Sequence, residues 1–249
     1  MEVSGMNDTT ASFVLSVIAG LVSGWLFWIF KYIFESRRNI YTVLYSKILW
    51  NTEIRISISY LFQIKADNKY FLIKGSRIDQ YQPVGGVFKM LESFKEAKRS
   101  FELTDDDHLP IDETSKDDLR IRVKGKNLVK LLHWFYTRKN REVGVHREFY
   151  EEMIKTGILP EGSLRTFNPE YCRTINTPIR NSVYFGCKEI LIYEIYELPL
   201  NNSEEHKVLT YVRNNENKAV LAKYDEIKKE CIDVSGVSKK IGQHAKHIL

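Results

Sequence analysis

Three kinds of hydrophobic pattern divide the chain. From Ala11 to Phe30 the sequence ASFVLSVIAGLVSGWLFWIF is apolar throughout, with no charge and no proline. At about 1.5 Å per residue a helix of that length covers roughly 30 Å, the hydrocarbon thickness of a bilayer. The run predicts one transmembrane helix over about 11–34 within an N-terminal segment 1–35. From Glu35 to Asn51 the apolar positions Tyr41, Leu44, Tyr45, Ile48 and Leu49 follow i, i+3, i+4, i+7, i+8. That is the stripe of an amphipathic helix, which places a connector at 36–52, packed on the following domain.

Beyond it the period changes to two. Ile54–Lys65 (IRISISYLFQIK) and Lys69–Lys74 (KYFLIK) read as strands joined at Asp67-Asn68, a hairpin pattern. A Pro83/Gly85/Gly86 turn leads to another short strand. Met90–Leu103 reads as a helix, and Thr104–Asp118 as an acidic loop. Leu119–Lys124 is a strand, and Asn127–Lys139 and His146–Thr156 are helices, the second closed by Gly157, a C-terminal cap signal. Leu164–Asn176, Lys188–Leu198 and Val208–Arg213 are strand-like, Ala219–Cys231 reads as a last helix, and 236–249 as a basic tail. The fold class is α+β with a mixed sheet, and the domain occupies 53–235.

Charge adds topology rather than function. The 37 basic and 32 acidic residues leave only +5, with no clustered basic stripe, so no nucleic-acid partner is expected. Lys31, Arg37 and Arg38 follow the apolar run, whereas Glu2 and Asp8 precede it. The positive-inside rule then puts the N-terminus outside and the domain in the cytoplasm, in a single-pass protein of the inner membrane. Ser12, Ser16, Gly20 and Gly24, each four apart, form a small-residue row suited to transmembrane helix packing. Cys172, Cys187 and Cys231 are odd in number and widely spaced, which argues against a disulfide framework or structural zinc.

One run carries chemistry. In Arg147-Glu148-Phe149-Tyr150-Glu151-Glu152 the three carboxylates share a helix face. They repel unless a positive group sits among them, and magnesium with oxygen ligands meets that need. Glu148, Glu151 and Glu152 are the candidate metal ligands; a solvated acidic face is the plain alternative. The run resembles the REUXEE part of the NUDIX box, GX5EX7REUXEEXGU. Gly86 and Glu92 match its GX5E opening, and Pro83-Val84-Gly85-Gly86 is similar to the turn that opens it. The resemblance implies an α/β/α sandwich. Two departures stand out: the 54 residues Ser93–His146 replace the usual seven, and Met153–Thr156 replace the single residue before the last glycine. An insertion costs little entropy when its ends are already close.

The apolar helix, IRISISYLFQIKADNKYFLIKG and RIDQYQPVGGVFK together resemble the transmembrane NUDIX-like effectors of bacterial CBASS antiphage systems. That resemblance implies a receptor for a cyclic oligonucleotide made by a partner CD-NTase. Ligand binding would drive homo-oligomerisation, disruption of the lipid bilayer and death of the infected cell. Arg55, Gln63, Lys74, Tyr81, Gln82 and Arg147 are then candidate ligand contacts through charge pairing and stacking. The alternatives are a membrane-tethered NUDIX hydrolase that cleaves a nucleoside diphosphate derivative with magnesium, and a non-catalytic scaffold.

Overall fold

The structure is a computed structural model and describes residues 13–25, 40–75, 78–106 and 117–249. The chain divides into two compact units, Met1–Ile48 and Leu49–Leu249.

In the first unit residues 13–25 and 40–48 are helical. No helix among the described residues is long and apolar enough to cross a membrane. The helix at 13–25 covers only about 20 Å, short of the roughly 30 Å a bilayer requires. The expectation of a transmembrane helix over 11–34 is corrected accordingly. With it goes the single-pass inner-membrane placement, its outward N-terminus and its cytoplasmic domain. The rest of that stretch, Ser12 included, lies outside the described residues. Ser16 donates to the carbonyl of Phe13 within its own helix at 2.7 Å, and the space a Cβ would fill at Gly20 and Gly24 is open. In the helix at 40–48 it is Thr42 and Ser46 that are buried, whereas Tyr41, Leu44 and Ile48 are exposed.

The second unit is built on one long strand. β1, Glu53–Ala66, is antiparallel to β2, Lys69–Lys74, across Asp67 and Asn68. Both turn residues have positive φ, 51° and 54°, a conformation Asn and Asp tolerate better than most residues. β3 is Tyr81–Gln82 and β4 Gly85–Val87. A 3-10 turn, Glu92–Phe94, and a short helix α1, Lys95–Ser100, stand where one helix over 90–103 was expected. Next come β5, Thr104–Asp105, β6, Arg120–Lys124, and helix α2, Gly125–Tyr136. Helix α3, His146–Phe149, runs into a π turn, Tyr150–Ile154. Gly157 follows with φ of 77°.

The remaining strands complete the sheet. They are β7, Glu170–Asn176, β8, Arg180–Asn181, and β9, Lys188–Leu198. β9 lies parallel to β1 from Ile54↔Lys188 to Ile64↔Leu198, whereas β6 and β4 pair antiparallel on the other side of β1. The sheet is therefore mixed, as expected. Residues 208–213, expected to be a strand, belong to helix α4, Asn202–Asn214. The deciding signal is the capping box: Asn201 accepts from Glu204 N, and Glu204 accepts from Asn201 N. The stretch 219–231 is not one helix but β10, Ala219–Ala222, helix α5, Tyr224–Lys229, and the start of β11, Cys231–Val234. The residues expected as a basic tail form β12, Val237–Lys240, and a 3-10 turn, Gln243–Ile248.

Both faces of β1 are covered, although its alternation accounts only for the apolar one. Ile54, Ile56, Ile58, Tyr60, Phe62 and Ile64 are fully buried. Around Phe62 on that face lie Phe149 of α3, Phe167 and Tyr196 of β9. On the opposite face Leu61 shares a core with Ile227, Ile241, Ala245 and Ile248 of the C-terminal elements. Burying an aliphatic side chain contributes roughly 1.5–3 kcal/mol, so this C-terminal layer is part of the fold's stability.

Candidate functional site

The box residues meet across the inserted segment. β4 carries Gly85 and Gly86 to the edge of β1, and α3 carries Arg147 and Glu148. No Cβ fits at either glycine. At Gly86 it would fall 2.1 Å from the Glu148 carboxyl group, and at Gly85 2.2 Å from the carbonyl oxygen of Tyr60. Gly85 N donates to Glu152 at 3.1 Å. The acidic end of the motif therefore rests directly on the glycine turn that opens it.

Arg147 holds this arrangement together. Its Nη1 donates to Glu148 at 2.6 Å and Glu151 at 3.3 Å. Its Nε and Nη2 reach the two oxygens of Glu142, each at 3.3 Å, and Nη2 also donates to Val87 O at 3.0 Å. These five contacts match the five N–H donors of a guanidinium. Glu142 is fixed in turn, since its carboxylate accepts from Lys89 N at 3.1 Å. The expected opening glutamate, Glu92, is elsewhere, on the exposed 3-10 turn and paired with Lys95. Glu142 is the partner of Arg147 that motif spacing missed. Its signal is local: it lies five residues before Arg147, beside the bridge of Met90 with Arg141.

The electrostatics follow from burial. Burial raises the pKa of Glu148, and the Arg147 charge and hydrogen bond partly offset it. Burial and then the Glu148 charge push Glu152 up to about 8, against the Gly85 N–H. Burial opposes the charge on Arg147, but its hydrogen bond to Glu142 and the charges of Glu148, Tyr60 and Glu142 raise its pKa. Tyr60 is buried at the same place, and burial, then the charges of Glu148 and Glu142, raise its pKa.

A model of one protein family matches residues 53–249, the SMODS-associated NUDIX domain. The chain belongs to that family. No curated protein and no solved structure matches it. The family match begins at β1 and takes in the C-terminal layer, so the NUDIX domain here extends through residue 249.

The candidate metal ligands of this NUDIX domain are already engaged by other residues. Among those described, no group of three or more His, Cys, Asp or Glu side chains is disposed to hold a metal ion. Glu148 and Glu151 both face Arg147, and Glu152 is engaged by the Gly85 amide.

The six expected ligand contacts separate into two groups. Arg55 is buried between Asp106, at 2.5 Å, and Glu189, at 3.3 Å, with Phe185 stacked on it. Gln63 is buried and donates to Ile248 O at 2.5 Å, and Arg147 is committed to the box. Lys74, Tyr81 and Gln82 lie together where β2 pairs with β3, in the register Ile73↔Gln82 and Lys74↔Tyr81. Lys74 is half-exposed and paired with Asp79 at 3.0 Å. Tyr81 is buried and donates to Glu216 O at 2.7 Å.

Proposed function

We propose that this SMODS-associated NUDIX domain is the sensing part of an antiphage effector. It binds a cyclic oligonucleotide made by a partner CD-NTase, does not hydrolyse it, and signals by self-association. The observation that carries the non-hydrolytic reading is the full commitment of Arg147 to Glu142, Glu148, Glu151 and Val87 O. Carboxylates held by a guanidinium are not free to organise a phosphate-bound cation. The β2–β3 edge is the better candidate for ligand contact, because Lys74 keeps an accessible ammonium there. An accessible cation beside polar side chains is a workable phosphate contact. A receptor of this kind works by having higher ligand affinity in its assembled state.

One observation favours the hydrolase alternative: Gly86, Glu148 and Glu152 do come together despite the insertion. The two readings separate in one experiment. The full chain is titrated with cyclic di- and trinucleotides by calorimetry in EDTA. It is then incubated with the same compounds and with nucleoside diphosphate derivatives in magnesium, with products separated by ion exchange. Binding in EDTA without turnover is expected, weakened about tenfold or more in Lys74→Glu, the loss of one charge-assisted contact. Magnesium-dependent cleavage that disappears in Glu152→Gln would overturn the receptor reading.

A further inference from the structure

The acidic box raises a charge problem that the structure solves without a metal ion. Glu142, Glu148 and Glu151 converge on one point, and the group at that point is the Arg147 guanidinium. Three features make it more than a surface ion pair. All five of its N–H directions are used. One of its acceptors is the main-chain carbonyl of Val87, so the guanidinium is fastened to β4 as well as to its own helix. The partner that takes two of its donors, Glu142, is itself pinned to the backbone of Lys89. Residues 85–89 before the insertion and 142–152 at its far end are therefore tied together through Arg147, Glu142 and Glu152.

We propose that this box, its carboxylates taken up by Arg147 and the Gly85 amide, does not hold a divalent cation and is instead a cation-independent clasp that closes the insertion. A guanidinium suits that role because its planar fork bridges several carboxylates at once, which an ammonium cannot do. The Gly86 surface fits the same purpose. The Glu148 carboxyl group fills the space a side chain would need there, so the acid is packed against backbone rather than opened toward a ligand. The inference concerns the box alone and holds whatever the ligand of the domain is.

The test is manganese binding by the full chain, read from the loss of the free-ion electron paramagnetic resonance signal. The wild type is expected to show no site tighter than about 1 mM, the weak end of protein cation sites. Melting temperature should differ by less than about 1 °C between magnesium and EDTA, since a ligand stabilises only what it binds. Arg147→Met, if folded, leaves the carboxylates uncompensated and should bind manganese at least about tenfold more tightly than wild type. A wild-type site in the micromolar range that is lost in Glu148→Gln or Glu151→Gln overturns the proposal. A site of that strength that survives both substitutions lies elsewhere and leaves it supported. A folded Arg147→Met that gains no manganese affinity also overturns it. If that variant does not fold, the wild-type titration with the two glutamine variants decides. Nucleotide binding enters none of these readings, so failure here is distinct from failure of the receptor reading.

Discussion

The insertion is anchored by a buried ion pair whose strength can be measured. Arg141 and Glu194 are 2% and 3% exposed, and Arg141 Nη2 donates to Glu194 at 3.1 Å. Arg141 also donates to the carbonyls of Phe135 and Glu142, and its guanidinium lies 4.7 Å from the Phe88 ring and 4.2 Å from the Phe135 ring. The other oxygen of Glu194 accepts from Tyr196 at 2.8 Å. Burial lowers the Arg141 pKa, and Glu194 works against that. Removing one partner leaves an uncompensated charge in the core. Glu194→Leu and Arg141→Met should each cost about 3–5 kcal/mol. In a domain of this size that lowers the melting temperature by roughly 6–20 °C. Replacing both by apolar residues, Arg141→Met with Glu194→Leu, should recover a good part of the loss, because the cost lies in the unpaired charge. Urea unfolding of the four proteins, read by tryptophan fluorescence, gives the cycle. If each single substitution costs under about 1 kcal/mol, the pair behaves like a surface salt bridge and the argument fails. Strictly additive effects would refute it as well, because two residues in contact should couple.

Three further outcomes follow from the coordinates. Gly85→Ala should destabilise more than Gly86→Ala, by thermal melting, because its Cβ meets the fixed carbonyl of Tyr60 at 2.2 Å whereas at Gly86 it meets the movable Glu148 side chain. The milder change should cost about 1–3 kcal/mol. His244, stacked on Tyr193 beside His247, has its pKa lowered to about 4 by burial and then by the His247 charge, and Arg180 and Arg173 act on His247 in turn. A histidine with a lowered folded pKa contributes stability that is complete above its unfolded value of about 6.5. That contribution is lost as the pH falls toward 4, by about 3 kcal/mol at most, because the ring keeps some solvent contact. The difference between wild type and His244→Gln across that window isolates it from the carboxylates; a flat difference would refute the assignment. Asn201→Ala should cost about 1 kcal/mol in urea unfolding by removing the cap of α4.

What was legible in the sequence depended on how local its cause was. β1, β2 and β9 follow from strict alternation of apolar residues, and their bounds in the structure lie within a residue or two of the pattern. Val208–Arg213 carries Val208, Thr210 and Val212, β-branched residues that suit a strand. The helix there is decided upstream, by Asn201 and Glu204, and only Glu204 and Val208 of its residues are buried. The C-terminal residues read as a tail because Lys239, Lys240 and Lys246 dominate their charge. They are held instead by contacts of long sequence separation. Gln63 binds Ile248 O, and Arg173 binds the carbonyls of His247 and Leu249.

The candidate site shows the same division. Arg147 with Glu148, Glu151 and Glu152 is contiguous, so motif spacing finds it. Counting five residues from Gly86 finds Glu92, which the chain turns outward, and passes over Glu142, which the fold returns to Arg147 at the end of the insertion. Motif spacing encodes geometry only while the chain between its two ends is short and regular. Once 54 residues intervene, the partner of Arg147 is chosen by which carboxylate the sheet brings back. The sheet brings back Glu142 because Arg141 beside it is buried against Glu194, Phe88 and Phe135. The ion pair in the core therefore sets the register of the clasp at the surface. Loosening Arg141 should loosen Glu142 and Arg147 with it, before any residue of the box is changed.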